Sequence, residues 1–288
     1  MKNLQEILEI ARPITWTAAD ILRDYYHGNR RQDLDIQYKD SSTDDPVTAA
    51  DIAVSNYLIE NLQAKLGKED FGYISEETYQ GEQVNKELVW IIDPLDGTRD
   101  FIDKTGEYAI HIGLVQNHRP VLALVAVPEQ DKIYYATIGN GTFVETRDGN
   151  IQRLQVSRQK PIETLTVLVS RSHRSKPLDY VLSKLPCQTH KNVGSIGCKI
   201  ASIVEQQADV YISLSGKSAP KDWDIAAPEL ILSEAGGKYT RYDNSTLLYD
   251  TEDINKWGGL LASNGEYHDI LCQEATKSLA EFENIATQ

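Results

Sequence analysis

The stretch WIIDPLDGTRDF, residues 90–101, begins as an apolar run and then sets down Asp93, Pro94, Asp96, Gly97 and Thr98 in close succession. Leu88–Ile92 is apolar on both faces, which places it centrally in a sheet. Pro94 fixes a turn, and Gly97 permits a backbone conformation that other residues resist. Asp96 can then point back alongside Asp93, with the Leu95 carbonyl facing the same way. Two carboxylates held close repel each other unless a cation neutralises them or one takes a proton. All-oxygen ligands of this kind suit Mg2+ or Mn2+. Gly97-Thr98 opens onto a helical start whose N–H groups can receive an anionic oxygen. Metal beside an anion site implies phosphoryl chemistry. A purely structural turn accounts for the spacing of these residues equally well.

Two further stretches set acids beside structure breakers. In GYISEET, Glu76 and Glu77 follow a short apolar run; in KDWDIAAPE, Asp222 and Asp224 stand at a helix start. Acids at a helix start have an ordinary use, capping free N–H groups and complementing the helix dipole. The same holds for Thr48 and Asp51 ahead of IAVSNYLIENL.

Composition narrows the class. With 41% hydrophobic and 25% charged residues, the 288-residue chain is an ordinary soluble globular protein, one large domain or two closely joined. No apolar run approaches the ~20 residues that cross a membrane. The N-terminus reads as an amphipathic helix rather than a signal peptide. A net charge of −14 disfavours nucleic-acid polymers and anionic membranes as partners. Cys187, Cys198 and Cys272 are odd in number and lack CxxC spacing. Neither a disulfide framework nor a zinc site is expected, and a reducing cytoplasm fits best.

Helical spacing covers residues 3–26, with a kink expected at Pro13, and a second helix is expected from about Ala49 to Leu66. Short β-rich runs follow at Leu88–Asp93, Tyr108–Val115, Val121–Val127, Lys132–Ile138 and Thr142–Thr146. This half, residues 1–157, reads as two helices on a largely antiparallel sheet, an α+β domain. From 158 to 288 strands and helices alternate, as in an α/β domain: TLTVLVS before a helix near Leu178–Leu185, a helix Cys198–Gln207 before DVYISL, and a helix Ile225–Ala235 before KYTRY. GGLLAS then leads to a helix of roughly Glu266–Phe282.

Several familiar site motifs are missing: GxxxxGK[ST], GxGxxG after a strand, HExxH and GxSxG. The six histidines, His27, His111, His118, His173, His190 and His268, form no ligand spacing, and most read as surface or satisfied core residues.

WIIDPLDGT together with WDIAAPELILSEAGG resembles the two signatures of the inositol monophosphatase superfamily of Mg2+-dependent, lithium-sensitive phosphatases. DDPVTAAD at 44–51, ISEE at 74–77 and GSIGCK at 194–199 follow in the expected order, so the resemblance spans nearly the whole chain. It implies a layered α-β-α-β-α sandwich. It further implies Glu76 (rather than Glu77), Asp93, the Leu95 carbonyl, Asp96 and Asp224 as ligands of two or three Mg2+ ions. Asp51 and Thr98 would hold and deprotonate the attacking water, and the Gly97 and Thr98 N–H groups would grip the phosphate. The implied reaction is direct attack by a metal-activated water without a phosphoenzyme. Pro228 departs from the family pattern, standing where a small residue is common. Because proline suits a first turn, the helix is expected to begin near Asp224–Ala226.

DGTRDFIDKTGEYAIHIGLVQ, SRSH at 170–173 and Lys199 resemble the 3'(2'),5'-bisphosphate nucleotidase branch. The implied substrate is adenosine 3',5'-bisphosphate, giving AMP and phosphate, with phosphoadenosine phosphosulfate a second substrate and a role in sulfate assimilation. Ser170, His173 and Ser195 would touch the nucleotide, and Lys199 its second phosphate as a point charge. The chain would act as a monomer or homodimer. An inositol or sugar phosphate monoesterase is the nearest alternative. A haloacid-dehalogenase phosphatase fits less well, since the spacing here is DxxDGT. A catalytically dead nucleotide-binding regulator is the alternative outside enzymes.

Overall fold

In a computed structural model, residues 3–29, 37–38, 46–81, 84–172 and 174–286 are described. His173, and Asp44 and Asp45 of DDPVTAAD, lie outside them. Helix α1 (Leu4–Tyr26) runs through Pro13 as one helix, opened by a capping box in which Asn3 and Glu6 exchange hydrogen bonds. Strands β1 (Gln37–Tyr38) and β2 (Pro46–Val47) pair with each other, and α2 (Ala49–Leu66) follows.

Seven strands then form one sheet in chain order: β3 (Gly72–Ser75), β4 (Leu88–Asp96), β5 (Ala109–Gln116), β6 (Arg119–Val127), β7 (Lys132–Thr137), β8 (Gly141–Thr146) and β9 (Ile151–Leu154). Only β3 runs parallel to its neighbour; every other pair is antiparallel. A short helix, α3 (Thr98–Ile102), leaves β4.

The second sheet has the order β11-β10-β12-β14-β13, from β10 (Thr166–Ser170), β11 (Thr189–Val193), β12 (Val210–Leu214), β13 (Lys238–Arg241) and β14 (Gly259–Ser263). Its helices are α4 (Lys176–Lys184), α5 (Ile196–Val204), α6 (Asp222–Glu234) and α7 (His268–Ala286).

Strand alternation assigns each face to a layer. On the first sheet Trp90, Ile92, Ile110, Ile112 and Leu124 face α1 and α2, packing against Leu8, Leu22, Leu58 and Leu62. Val89, Ile91, Ala109, Ala123 and Val125 face the opposite way, onto Ile200, Ile225 and Ile231 of α5 and α6. That core continues into Leu168, Tyr211 and Leu260 of the second sheet. The far face of the second sheet, Val167, Val169, Val210 and Leu261, takes Leu178, Val181, Leu271 and Ala275 of α4 and α7. The layers are therefore α-β-α-β-α, as the resemblance implied. The two sheets meet the central core from either side, and α5 and α6 lie between them.

Two expectations change. Helix α6 starts at Asp222, not near Asp224–Ala226, with Pro228 two turns inside. The proline removes one N–H, and its ring is buried in the central layer; packing on both sides holds the helix through the missing bond. Strands β9 and β11 were not anticipated from the sequence. Both are edge strands, and most of their residues are exposed.

Candidate active site

The site begins with a register change in β4. Asp93 pairs opposite His111 and Asp96 opposite Ala109, so three steps along β4 match two along β5. In a regular strand, residues three apart point to opposite faces. The extra residue at Pro94-Leu95 resets the alternation and brings Asp93 and Asp96 to the same face, towards α5 and α6. There Asp224, in the first turn of α6, joins them. Ligand oxygens of Asp93, Asp96 and Asp224 lie within 4.8 Å of one another. Asp222 turns away: it accepts from the Asp250 N–H at 2.7 Å and pairs with buried Lys256.

The three carboxylates do not titrate alike. Burial, then the charges of Glu76, Asp96 and Asp224, push Asp93 well above the carboxylate range. Burial, Glu76 and Asp96 push Asp224 the same way. Burial also opposes ionisation of Asp96, but His111, Ser195 and Lys199 more than offset it and hold Asp96 down at about 2. One ionised carboxylate thus stands beside two that resist ionisation, an arrangement that a divalent cation relieves.

Glu76 directly follows β3, its N–H bonded to the Ile92 carbonyl at 3.1 Å, beside the start of the Asp93 turn. Its charge acts on Asp93, Asp224 and Asp51, whereas Glu77 acts on Asp51. Asp51 divides its work between two oxygens. Oδ2 accepts from the Thr48 N–H at 2.7 Å and its hydroxyl at 2.6 Å, capping α2. Oδ1 faces the Thr98 hydroxyl at 3.4 Å. The helix cap and the site role are therefore both present in one side chain. Burial, then Glu77 and Glu76, outweigh the Thr48 hydrogen bonds and raise Asp51 to about 7.

Thr98 Oγ1 also lies 3.0 Å from the Leu95 carbonyl, and Asp93 Oδ1 accepts from the Leu95 N–H at 3.0 Å. Gly97 has φ +89°, and a Cβ there would stand 3.0 Å from the Glu107 carbonyl. Only glycine lets β4 turn so tightly into α3 while the 107 and 195 backbones press against it.

The residues singled out for nucleotide contact are placed variously. Ser195 is buried, its hydroxyl donating to Asp96 Oδ2 at 2.5 Å and accepting from the Cys198 N–H at 3.1 Å. Lys199 is 2% exposed, its ammonium donating to the carbonyls of Gly194 and Ser195 at 3.2 and 3.1 Å. Burial pulls its pKa down against the pull of Asp96. Its Nζ lies 5.1 Å from the centre of the Tyr211 ring, and Ser170, at the end of β10, lies beside the same tyrosine. The structure thus brings Ser170 and Lys199 together and gives Ser195 to Asp96.

Two participants escaped the sequence reading. His111 lies beneath Asp96, Nε2 3.2 Å from Oδ2. Arg171, in SRSH, forks between Asp100 at 2.6 Å and Glu107 at 2.8 Å, and Glu107 accepts from the Gly194 N–H at 2.6 Å. The only signal for either was its position inside a segment already marked as distinctive.

A profile of the inositol monophosphatase family matches residues 3–280. The chain belongs to the inositol monophosphatase family. Within that family, it is 30% identical over 253 residues to the 3'(2'),5'-bisphosphate nucleotidase CysQ of Aggregatibacter actinomycetemcomitans, covering 87% of this chain and 88% of the relative. To the Salmonella typhimurium enzyme of the same name it is 31% identical over 248 residues, covering 85% and 93%. Solved inositol monophosphatase-family folds superpose closely. The Bartonella henselae suhB protein does so with a TM-score of 0.78 at 21% identity, covering 94% of this chain and 99% of that one. CysQ from Bacteroides thetaiotaomicron gives 0.70 at 23%, covering 91% and 99%. The resemblance read from DPLDGT and WDIAAPE, and the layered fold it implied, are borne out. Among the described residues no helix is long and apolar enough to cross a membrane.

Proposed function

We propose that the protein is a divalent-cation-dependent 3'(2'),5'-bisphosphate nucleotidase that releases the 3'-phosphate of adenosine 3',5'-bisphosphate as inorganic phosphate, leaving AMP. The carrying observation is the trio of Asp93, Asp96 and Asp224 oxygens within 4.8 Å of one another, two of them pushed towards protonation by crowding and burial. The nucleotide branch is supported by relatives of that name matched over most of the chain.

Asp93, Asp96, Asp224 and the Leu95 carbonyl would hold the cations, with Glu76 beside them, and all are hard oxygen donors suited to Mg2+ or Mn2+. Bound cations would supply charge neutralisation at the phosphoryl and leaving oxygens and lower the pKa of water. Asp51 and Thr98 act together. The Thr98 hydroxyl spans the Leu95 carbonyl and Asp51 Oδ1, so a water donating to Thr98 can pass its proton to Asp51. Capping of α2 by Oδ2 fixes the direction of Oδ1. The Gly97 and Thr98 N–H groups, at the tight turn, receive the phosphate oxygens. Ser195 and the Gly197 N–H orient Asp96 rather than the nucleotide. Ser170 and Lys199 flank Tyr211 on the side of the second sheet, where the nucleoside and its second phosphate would lie. For Lys199 to meet that phosphate directly, its ammonium must leave the Gly194 and Ser195 carbonyls. His173 retains its sequence-based assignment to the nucleotide. Phosphoadenosine phosphosulfate is the second substrate in this reading, lithium the inhibitor, and the cytoplasm the site of action.

The deciding experiment measures phosphate release from adenosine 3',5'-bisphosphate and inositol 1-phosphate side by side, with Mg2+, with and without lithium. Strong preference for the nucleotide, suppressed by lithium, supports the proposal. Preference for inositol phosphate keeps the metal chemistry and overturns the branch.

A further inference from the structure

We infer that His111 is a positioning residue for Asp96, loading one carboxylate oxygen from below so that the other is presented as a fixed metal ligand. The inference rests on the metal-centre reading of the carboxylate trio, not on which phosphate ester is cleaved.

Asp96 has two oxygens, and the protein treats them unequally. Oδ2 accepts from the Ser195 hydroxyl at 2.5 Å and the Gly197 N–H at 2.9 Å, and His111 Nε2 lies 3.2 Å away. No donor among the described residues reaches Oδ1. Three contacts on one oxygen fix the carboxylate plane and leave a single lone-pair set to point at the cation, which is how groups behind a ligand set its orientation and affinity.

The imidazole is built into this position. His111 is 0% exposed and stands opposite Asp93 in the β4–β5 register, on the face towards α5. A Cβ at residue 197 would lie only 2.4 Å from His111 Nε2, so glycine there lets the start of α5 settle directly over the ring. That approach also delivers the Gly197 N–H to the same oxygen. Neither ring nitrogen makes a well-formed hydrogen bond. A buried polar group left in this state is unfavourable, so packing alone would favour an apolar side chain. Its neighbours by sequence on this face, Ala109 and Gly113, are small, and α5 and α6 close over them.

The test is direct Mn2+ binding to the purified full chain, by electron paramagnetic resonance, for the native protein and for His111→Leu and His111→Gln. The Gln amide can again offer an N–H towards Oδ2, whereas Leu fills the space without one. Expected is a loss of Mn2+ affinity of about 10- to 100-fold in His111→Leu, largely regained in His111→Gln, with circular dichroism unchanged. Equal loss in both folded variants, or no loss in either, overturns the inference. Should His111→Leu not fold, the native protein still decides: long-range proton–nitrogen NMR should find a proton on Nε2 of His111, and a bare Nε2 overturns the assignment. If the native chain binds no Mn2+, the metal-centre reading itself falls. If Mn2+ binding depends on His111 but the nucleotide is not cleaved, only the substrate reading falls.

Discussion

Thr98 Oγ1 lies 3.4 Å from Asp51 Oδ1 while the other oxygen of that carboxylate caps a helix. A single hydroxyl therefore links the end of β4 to the start of α2, across the place where an attacking water would be held. Thr98→Val removes the relay and keeps the shape. Its kcat should fall by roughly 10²- to 10⁴-fold, with KM for the phosphate ester nearly unchanged. Thr98→Ser should retain most activity. Comparable activity in Thr98→Val and native protein would remove Thr98 from the chemistry.

Asp93→Asn separates stability from function. It removes a buried charge that Glu76, Asp96 and Asp224 all crowd. Without cation, the variant should melt at or above the native temperature. Saturating Mn2+, at about 100 times its dissociation constant, should stabilise the native protein by about 2.7 kcal/mol and leave the variant almost unmoved. Activity should drop by at least a thousandfold, about 4 kcal/mol of barrier. Differential scanning calorimetry with and without Mn2+ reads both effects.

The cation-free protein should lose stability relative to Asp93→Asn as pH rises. Asp51 at about 7, and Asp93 and Asp224 raised above their ordinary 3.8, bind protons more tightly folded than unfolded. Their contribution is full below the unfolded value and is lost as pH climbs through the folded ones, with a slope near 1.4 kcal/mol per pH unit for each proton released. Asp96, held low, works in the opposite sense only at strongly acidic pH. Chelator-treated native and Asp93→Asn protein, melted at pH 5 and pH 8, should diverge at pH 8. Parallel curves would mean that the trio is not crowded in solution.

Gly97→Ala should be costly wherever it is measured. Its φ of +89° is unfavourable for any residue with a Cβ, and the new atom would stand 3.0 Å from the Glu107 carbonyl. The conformational part alone costs about 1–2 kcal/mol, and the turn that presents the Gly97 and Thr98 N–H groups would shift with it. Chemical denaturation and kcat/KM should both register the change.

Arg171→Ala unclamps Asp100 and Glu107, and through Glu107 the turn at Gly194 that leads to Ser195. The guanidinium is 41% exposed, which limits the stability loss to about 1 kcal/mol. The larger effect should be on KM for the nucleotide, several-fold, since SRSH and GSIGCK would move apart. An unchanged KM would leave the clamp a surface ion pair.

The parts of the fold legible in sequence were those whose burial is periodic or complete. Leu88–Ile92 announced itself because both faces of β4 are covered, and α2 because Thr48 stands as a cap ahead of it. Strands β9 and β11 gave no such pattern, because IQRL and THKNV lie at sheet edges and show mostly polar side chains. Helix α6 begins earlier than Pro228 suggested, since packing on two sides outweighs a local preference. At the site, spacing indicated Asp93 and Asp96, because a bulge needs only local residues. His111 and Arg171 depend on partners brought together by the sheet and by the joining of two layers, and short-range spacing carries no record of that. Lys199 stands out in the sequence, but its burial beneath two carbonyls is a property of the folded turn.

The register change at Pro94-Leu95 also bears on how such a centre can arise or be lost. Were the bulge straightened with no residue lost, Asp96, three along from Asp93, would swing to the face lined by Trp90 and Ile92, among the α1 and α2 side chains. Substitutions could then not recover the trio without a new acid elsewhere. A site that can gather three acids is separated from an inert structural strand by one step of register, so its gain or loss should track changes that make or remove the bulge.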